Sequence, residues 1–129
     1  MNKQLSNAVA KFKKDVCNAP LPTRCKKSMT TAWKDSTYSV LKDEIDELHT
    51  ALAADDLVEV ADALGDIIYF ATGQALLQGI DIDNVLAEIH RSNMTKKPGV
   101  KEGPTTPNDV IKDKDYVPPN IKKVLRRAP

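Results

Sequence analysis

The chain has 129 residues, with 19 Lys and Arg against 18 Asp and Glu for a net charge of +1. One domain accounts for that length, but a domain of this size buries only about 70% of its unfolded surface, so any surplus apolar face would seek a second chain. The sequence shows no apolar run near the roughly 18 residues of a membrane span, no secretory leader and no metal-type spacing between Cys17 and Cys25, which points to a cytoplasmic protein with reduced thiols. A Cys17–Cys25 bridge across the Pro20 and Pro22 loop is the minority alternative.

Leu5, Val9, Phe12 and Val16 step by four, three and four, which predicts a first helix over about residues 3–17, with Lys11, Lys13 and Lys14 on its other faces. Pro20 and Pro22 then impose an extended connector. Residues 23–35 are mixed and basic and give no firm assignment; Trp33, the sole tryptophan, is either a core anchor or a wall on which a nucleobase stacks.

A second helix is expected from a cap at Ser36 or Thr37 to about Ala54, with Leu41, Ile45, Leu48 and Leu52 as its stripe. Asp55-Asp56 supplies a turn and the N-cap of a third helix that runs to Leu77 and stops at Gly79. After residue 66 that helix is apolar nearly all round (IIYFATGQALL), which predicts burial on more than one side and favours a dimer interface. Asp81 or Asp83 caps a fourth, shorter helix through Val85, Leu86 and Ile89 to about Asn93. The expected architecture is therefore all-α, a bundle of four to five helices with the second and third antiparallel. Residues 1–97 form the domain, and 98–129 form an extended basic tail that packs on it or on a neighbour.

Charge is segregated along the chain. Nine of the 18 acids lie between Asp43 and Asp66, a stretch without Lys or Arg, and all 19 cations lie outside it. Residues three and four apart share a helical face, so Glu44 and Glu47 point together with Asp43 beside them, while Glu59, Asp62 and Asp66 form a second column. Reversal at 55 and 56 brings position 66 opposite 45 and position 62 opposite 49, and the two columns face each other. A solvated acidic face is the ordinary explanation of one such pair. Here the acids lack interleaved cations and flank an apolar seam on consecutive helices, which favours a site for Mg²⁺ or Mn²⁺, ions that take oxygen ligands and keep positions open for water and phosphate. No Asp-x-Asp-x-Asp-Gly calcium loop is present. His49 and His90 read as ordinary surface or interface residues.

The strings LKDEIDEL and EVADALGDIIYFATGQALLQGIDIDNVLAEIHRSNMTK resemble the MazG-like and phosphoribosyl-ATP-pyrophosphohydrolase-like all-α nucleoside triphosphate pyrophosphatases over about residues 37–97. DYVPPNI at 115–121 is more loosely similar to their usual NYxPPDL ending. The resemblance implies cleavage of a nucleoside triphosphate between its α and β phosphates, with two or three Mg²⁺ or Mn²⁺ ions per site, in a homo-oligomer that is a dimer or a dimer of dimers. It places the ExxE element on Glu44 and Glu47, preceded by Asp43. The ExxD element has two registers, Glu59 with Asp62 or an alignment that puts Asp66 on the metal-binding Asp, so Glu44, Glu47, Asp62 and Asp66 are the expected ligands with Glu59 as a fifth.

Asp43 or Glu44 is expected to accept the proton of the attacking water. Trp33, Arg91, Asn93, Lys96, Lys97, Lys114 and Tyr116, with Lys112, are the expected substrate contacts. A nucleotide-pool enzyme of phage type with a purine preference, dGTP in particular, is one expectation, and phosphoribosyl-ATP is the less favoured substrate because the branch ending in HRSNMTK is usually the nucleoside triphosphate one. The alternatives are a non-catalytic, nucleotide-binding helical oligomer and a nucleic-acid-binding module. The second is disfavoured by the scarcity of aromatics, two Phe, three Tyr and one Trp.

Overall fold

A computed structural model describes residues 3–100 and 109–126. Among these residues five helices follow in order: α1 Gln4–Asp15, α2 Thr31–Ala53, α3 Leu57–Gln78, α4 Ile82–Asn93 and α5 Ile121–Arg126. Lys97–Pro98 (β1) and Val110–Ile111 (β2) pair antiparallel, Lys97 opposite Ile111. The fold is all-α, and α2 and α3 form its long antiparallel hairpin with α1 laid against α3.

Local chemistry sets the hairpin. Asp55 takes the left-handed conformation at φ +52°, which an aspartate tolerates at a turn, and the Asp56 carboxylate accepts from the Glu59 N–H at 3.2 Å to cap α3. Gly79, at φ +80°, ends α3, and a Cβ there would stand 2.1 Å from the Arg24 carbonyl oxygen, so this stop needs glycine twice over. Asp81, not Asp83, caps α4 by accepting from the Asn84 N–H. Asp83 instead accepts from the Ser6 hydroxyl at 2.6 Å and ties α4 to the start of α1.

The second helix starts earlier than the hydroxyl pattern predicts. Thr30 caps it, accepting from the Trp33 N–H at 3.1 Å, whereas Ser36 and Thr37 lie inside the helix and donate back to the Trp33 carbonyl. The early start is fixed by partners on α3: the Trp33 indole N–H donates to the Gln74 carbonyl at 3.0 Å. Gln78 closes the same seam, its amide donating to the carbonyls of Lys26 and Ser28 at 3.0 Å each while its own carbonyl accepts from the Lys26 N–H. Of these two glutamines in an apolar helix, Gln74 ties α3 to α2, its amide donating to the Thr37 hydroxyl, and Gln78 docks the basic connector. Cys17 and Cys25 are both free.

The tail is not wholly extended: residues 121–126 are helical, and Val124 is buried. Its course is set by the end of α4, where the buried Ser92 hydroxyl donates to the Val117 carbonyl at 2.7 Å, Thr95 Oγ1 accepts from the Val117 N–H, and Arg91 donates to the Pro118 carbonyl. Helix α5 brings Lys122 and Arg126 beside Arg24, Lys26 and Lys27 in one basic groove.

Burial is lopsided. Val9, Ala51, Ala63, Ala75 and Val124 are the buried apolar residues, while Tyr38, Ile45 and Leu52 on α2 and Leu57, Leu64 and Ile68 on α3 are all exposed, Leu57 at 78%. The apolar run after residue 66 is thus not enclosed by its own chain. Its buried positions begin at Thr72 and Gly73. No helix among the described residues is long and apolar enough to cross a membrane.

Candidate active site

The acids sort into two grooves along the α2–α3 hairpin. Asp46, Glu47, Asp56, Glu59 and Asp62 line a broad cavity of about 630 Å³ floored by Ala51 and Ala63, small side chains that let the two helices approach. Glu44 and Asp66 line a second, of about 240 Å³, together with Phe12 and Lys13 of α1 and Val40, Tyr69 and Phe70.

Glu44 joins the two. Desolvation, then the charge of Glu47, then that of Asp66, a hydrogen-bonding contact with Glu47 and the charge of Asp62 all hold its carboxyl above the usual glutamate value. Glu44 thus lies within electrostatic reach of Glu47, Asp66 and Asp62. Glu44 Oε2 is buried with no hydrogen-bond partner, and an orphaned buried acceptor of this kind calls for an explanation.

A hard divalent cation fits the donors present. The set is all carboxylate oxygen, the chemistry that Mg²⁺ and Mn²⁺ select, and a cation would satisfy the orphaned Oε2 and relieve the repulsion around it. Among the described residues no three His, Cys, Asp or Glu side chains are drawn tightly enough together to hold one ion. Like charges without a counter-ion spread apart.

The remaining sequence candidates fall elsewhere. Asp43 is exposed and lines neither acidic groove. Trp33 is anchored to Gln74 and borders a shallow apolar trough with Tyr38, Leu41 and Ile45. It stands eleven residues before Glu44 on the same helix, about 16 Å along the axis. Arg91 is engaged with Glu88 and the tail, and the Lys96 N–H donates to the Asn93 carbonyl at the end of α4. Lys97 is exposed in β1, Lys114 is exposed, and Tyr116 packs under the Lys112 ammonium, 5.1 Å from its ring centroid. None of these lines either acidic groove. His49 and His90 are exposed.

Sequence reasoning missed the contribution of α1. Phe12 meets Tyr69 edge to face, with centroids 5.7 Å apart and planes at 73°, and this pair brings Lys13 to the groove of Glu44 and Asp66. Helical spacing gave Phe12 a stripe and Lys13 an open face. Only the packing of α1 on α3 says that both border the acids.

The all-α fold agrees with that of the MazG-like, all-α nucleoside triphosphate pyrophosphatase superfamily. The sequence profile of the phosphoribosyl-ATP pyrophosphohydrolase family matches residues 10–93, well over half of the chain. The chain belongs to that family and is a pyrophosphohydrolase. No curated protein matches it. Family members of this type commonly depend on divalent metal.

Proposed function

We propose that the protein is a metal-dependent nucleoside triphosphate pyrophosphohydrolase that converts a (d)NTP to the monophosphate and pyrophosphate. The observation that carries this reading is Glu44: a carboxylate with an orphaned buried oxygen, crowded by Glu47, Asp66 and Asp62 inside a family of pyrophosphohydrolases. Glu44, Glu47, Asp62 and Asp66, with Glu59 on the same cavity wall as Glu47 and Asp62, would hold two or three Mg²⁺ or Mn²⁺ ions. Such ions, when bound, neutralise triphosphate charge and make a water nucleophilic.

The protein's own part is orientation and proton transfer. The oxygen of water forms a bond to the α-phosphorus, the bond from that phosphorus to the α,β-bridging oxygen breaks, and the electron pair leaves with pyrophosphate. The water's proton passes to a carboxylate. Glu44 faces the groove and Asp43 does not, so Glu44 is the better placed of the two neighbouring acceptors. Arg91, Asn93, Lys96, Lys97, Lys114 and Tyr116 contact substrate only if a neighbouring copy carries them to the acids, because in one chain they border neither groove.

The exposed apolar faces of α2 and α3 support assembly into a homo-oligomer, a dimer or dimer of dimers in this reading. Phosphoribosyl-ATP contains the same α,β-phosphoanhydride, and the family's description favours it as a second substrate reading. A purine deoxynucleotide such as dGTP, in a phage-type nucleotide-pool role, is the narrower form of the first. Glu47→Gln tests the site: turnover is lost with the helical fold intact, and retained activity at added Mg²⁺ would remove Glu47 from it.

A further inference from the structure

We infer that Lys13 is the phosphate-binding cation of this site, held in place by a notch that Gly73 leaves in α3. The inference rests on the proposed nucleotide reading and adds a residue, and a direction of approach, that the carboxylates alone do not supply.

Three observations converge. Lys13 is the only cation among the described residues on the groove that Glu44 and Asp66 share, and its other walls are the aromatic and aliphatic side chains Phe12, Tyr69, Phe70 and Val40. Its stem lies where a side chain of residue 73 would be. A Cβ added at Gly73 would stand 2.7 Å from Lys13 Cε and 3.4 Å from its Nζ, with Val9 Cγ1 at an ordinary 3.5 Å. Helix-interior glycine costs about 0.5–1 kcal/mol relative to alanine, and Gly73 is buried mid-helix, so the close approach of Lys13 gives that cost a structural reason.

The third observation concerns what Lys13 does not do. The ion pairs among the described residues join Lys11 to Asp15, Lys42 to Asp46 and Arg91 to Glu88, and Lys13 makes none. A lysine that shares a groove with two acids yet neutralises neither leaves a gap between them. Cations belong on the acidic side of that gap and an anion on the ammonium side. A triphosphate bearing divalent metal meets both demands at once. Among the described residues the larger cavity of Asp46, Glu47, Asp56, Glu59 and Asp62 is lined by no aromatic side chain, and Lys42 beside it is already paired with Asp46, so the nucleotide enters from the α1 side.

Lys13→Met keeps the unbranched stem on Gly73 and removes the charge. Gly73→Ala keeps the charge, raises helix propensity and displaces the stem. Binding of a non-hydrolysable α,β-methylene nucleoside triphosphate is measured by calorimetry with Mg²⁺ present, alongside binding of Mn²⁺ alone and the melting temperature. Lys13→Met is expected to weaken analogue binding by about ten-fold to a hundred-fold, the size of one charge-assisted hydrogen bond, with Mn²⁺ binding unchanged or tighter and folding retained. Gly73→Ala weakens the analogue in the same direction without lowering the melting temperature. Lys13→Arg restores part of the affinity. Equal analogue affinity for wild type and Lys13→Met overturns the Lys13 assignment while leaving the metal site standing. Loss of Mn²⁺ binding in Lys13→Met makes its role structural and overturns it too. Wild-type protein that binds Mn²⁺ but no nucleotide analogue overturns the inference and the nucleotide reading together.

Discussion

Glu44→Gln separates the cost of the acidic locality from its use. In the fold the Glu44 carboxyl is held above 4.5 by burial and by Glu47, Asp66 and Asp62. The native state therefore binds its proton more tightly than the unfolded chain, and stability falls as pH rises through the window that opens at about 4.5. At pH 7.5 without metal this penalty is present. The neutral amide lacks that penalty, so metal-free Glu44→Gln should melt higher than wild type at pH 7.5, with the difference closing below pH 4.5. Metal reverses the order. At a Mn²⁺ concentration 100-fold above Kd, mass action stabilises wild type by about 2.7 kcal/mol. With an unfolding entropy of about 2.1 cal/mol/K per residue over 129 residues, that is a rise of about 10 °C. Glu44→Gln should gain far less. Scanning calorimetry at fixed protein concentration, with chelator and with Mn²⁺, reads both arms. A metal-free variant that melts at or below wild type at pH 7.5, or one with the full Mn²⁺ shift, would refute the reasoning.

Other expectations test the scaffold. Gly79→Ala forces a side chain into the left-handed region and against the Arg24 carbonyl; a loss of about 1–3 kcal/mol is expected in urea unfolding. Asp56→Ala removes the α3 cap and should cost about 1 kcal/mol by the same assay. Ser92→Ala removes the hydroxyl that donates to the Val117 carbonyl; Val117 is 50% exposed, so water can take the donor's place, and the loss should be about 0.5–1.5 kcal/mol, with amide exchange rising first around residue 117. Ile68→Glu charges an apolar position that is 55% exposed in the single chain. Light scattering should show wild type as an oligomer at micromolar concentration and the variant as a smaller species, and a monomeric wild type contradicts the apolar-face argument.

The acidic hairpin was legible because its determinants are local. A caesura at Asp55-Asp56, acids at offsets of three and four, and Gly79 as a stop each act within one turn of helix. The start of α2 was not. Thr30, Ser36 and Thr37 are chemically equivalent caps, and the choice among them depends on Trp33 meeting Gln74, 41 residues away. The same holds for Gln74 and Gln78, polar interruptions in an apolar run whose purpose appears only when Thr37 of α2 and the connector meet them.

Around Asn93 the structural partners were equally hidden from the sequence. Ser92 and Thr95 hold the tail, and Arg91 reaches Pro118. Helix α5, at six residues, is too short for periodicity to reveal. The approach of Lys13 to Glu44 and Asp66 required the third dimension, because it depends on how α1 rests on Gly73.

The central claim is hydrolysis between the α and β phosphates at the Glu44 locality. It is tested most directly by incubating the protein with canonical and modified nucleoside triphosphates and with phosphoribosyl-ATP, in Mg²⁺ or Mn²⁺, and separating pyrophosphate from phosphate. The account predicts equimolar monophosphate and pyrophosphate from at least one nucleoside triphosphate, abolished by chelator. Release of inorganic phosphate with the diphosphate, or binding of metal and nucleotide without turnover of any compound in the panel, would contradict it.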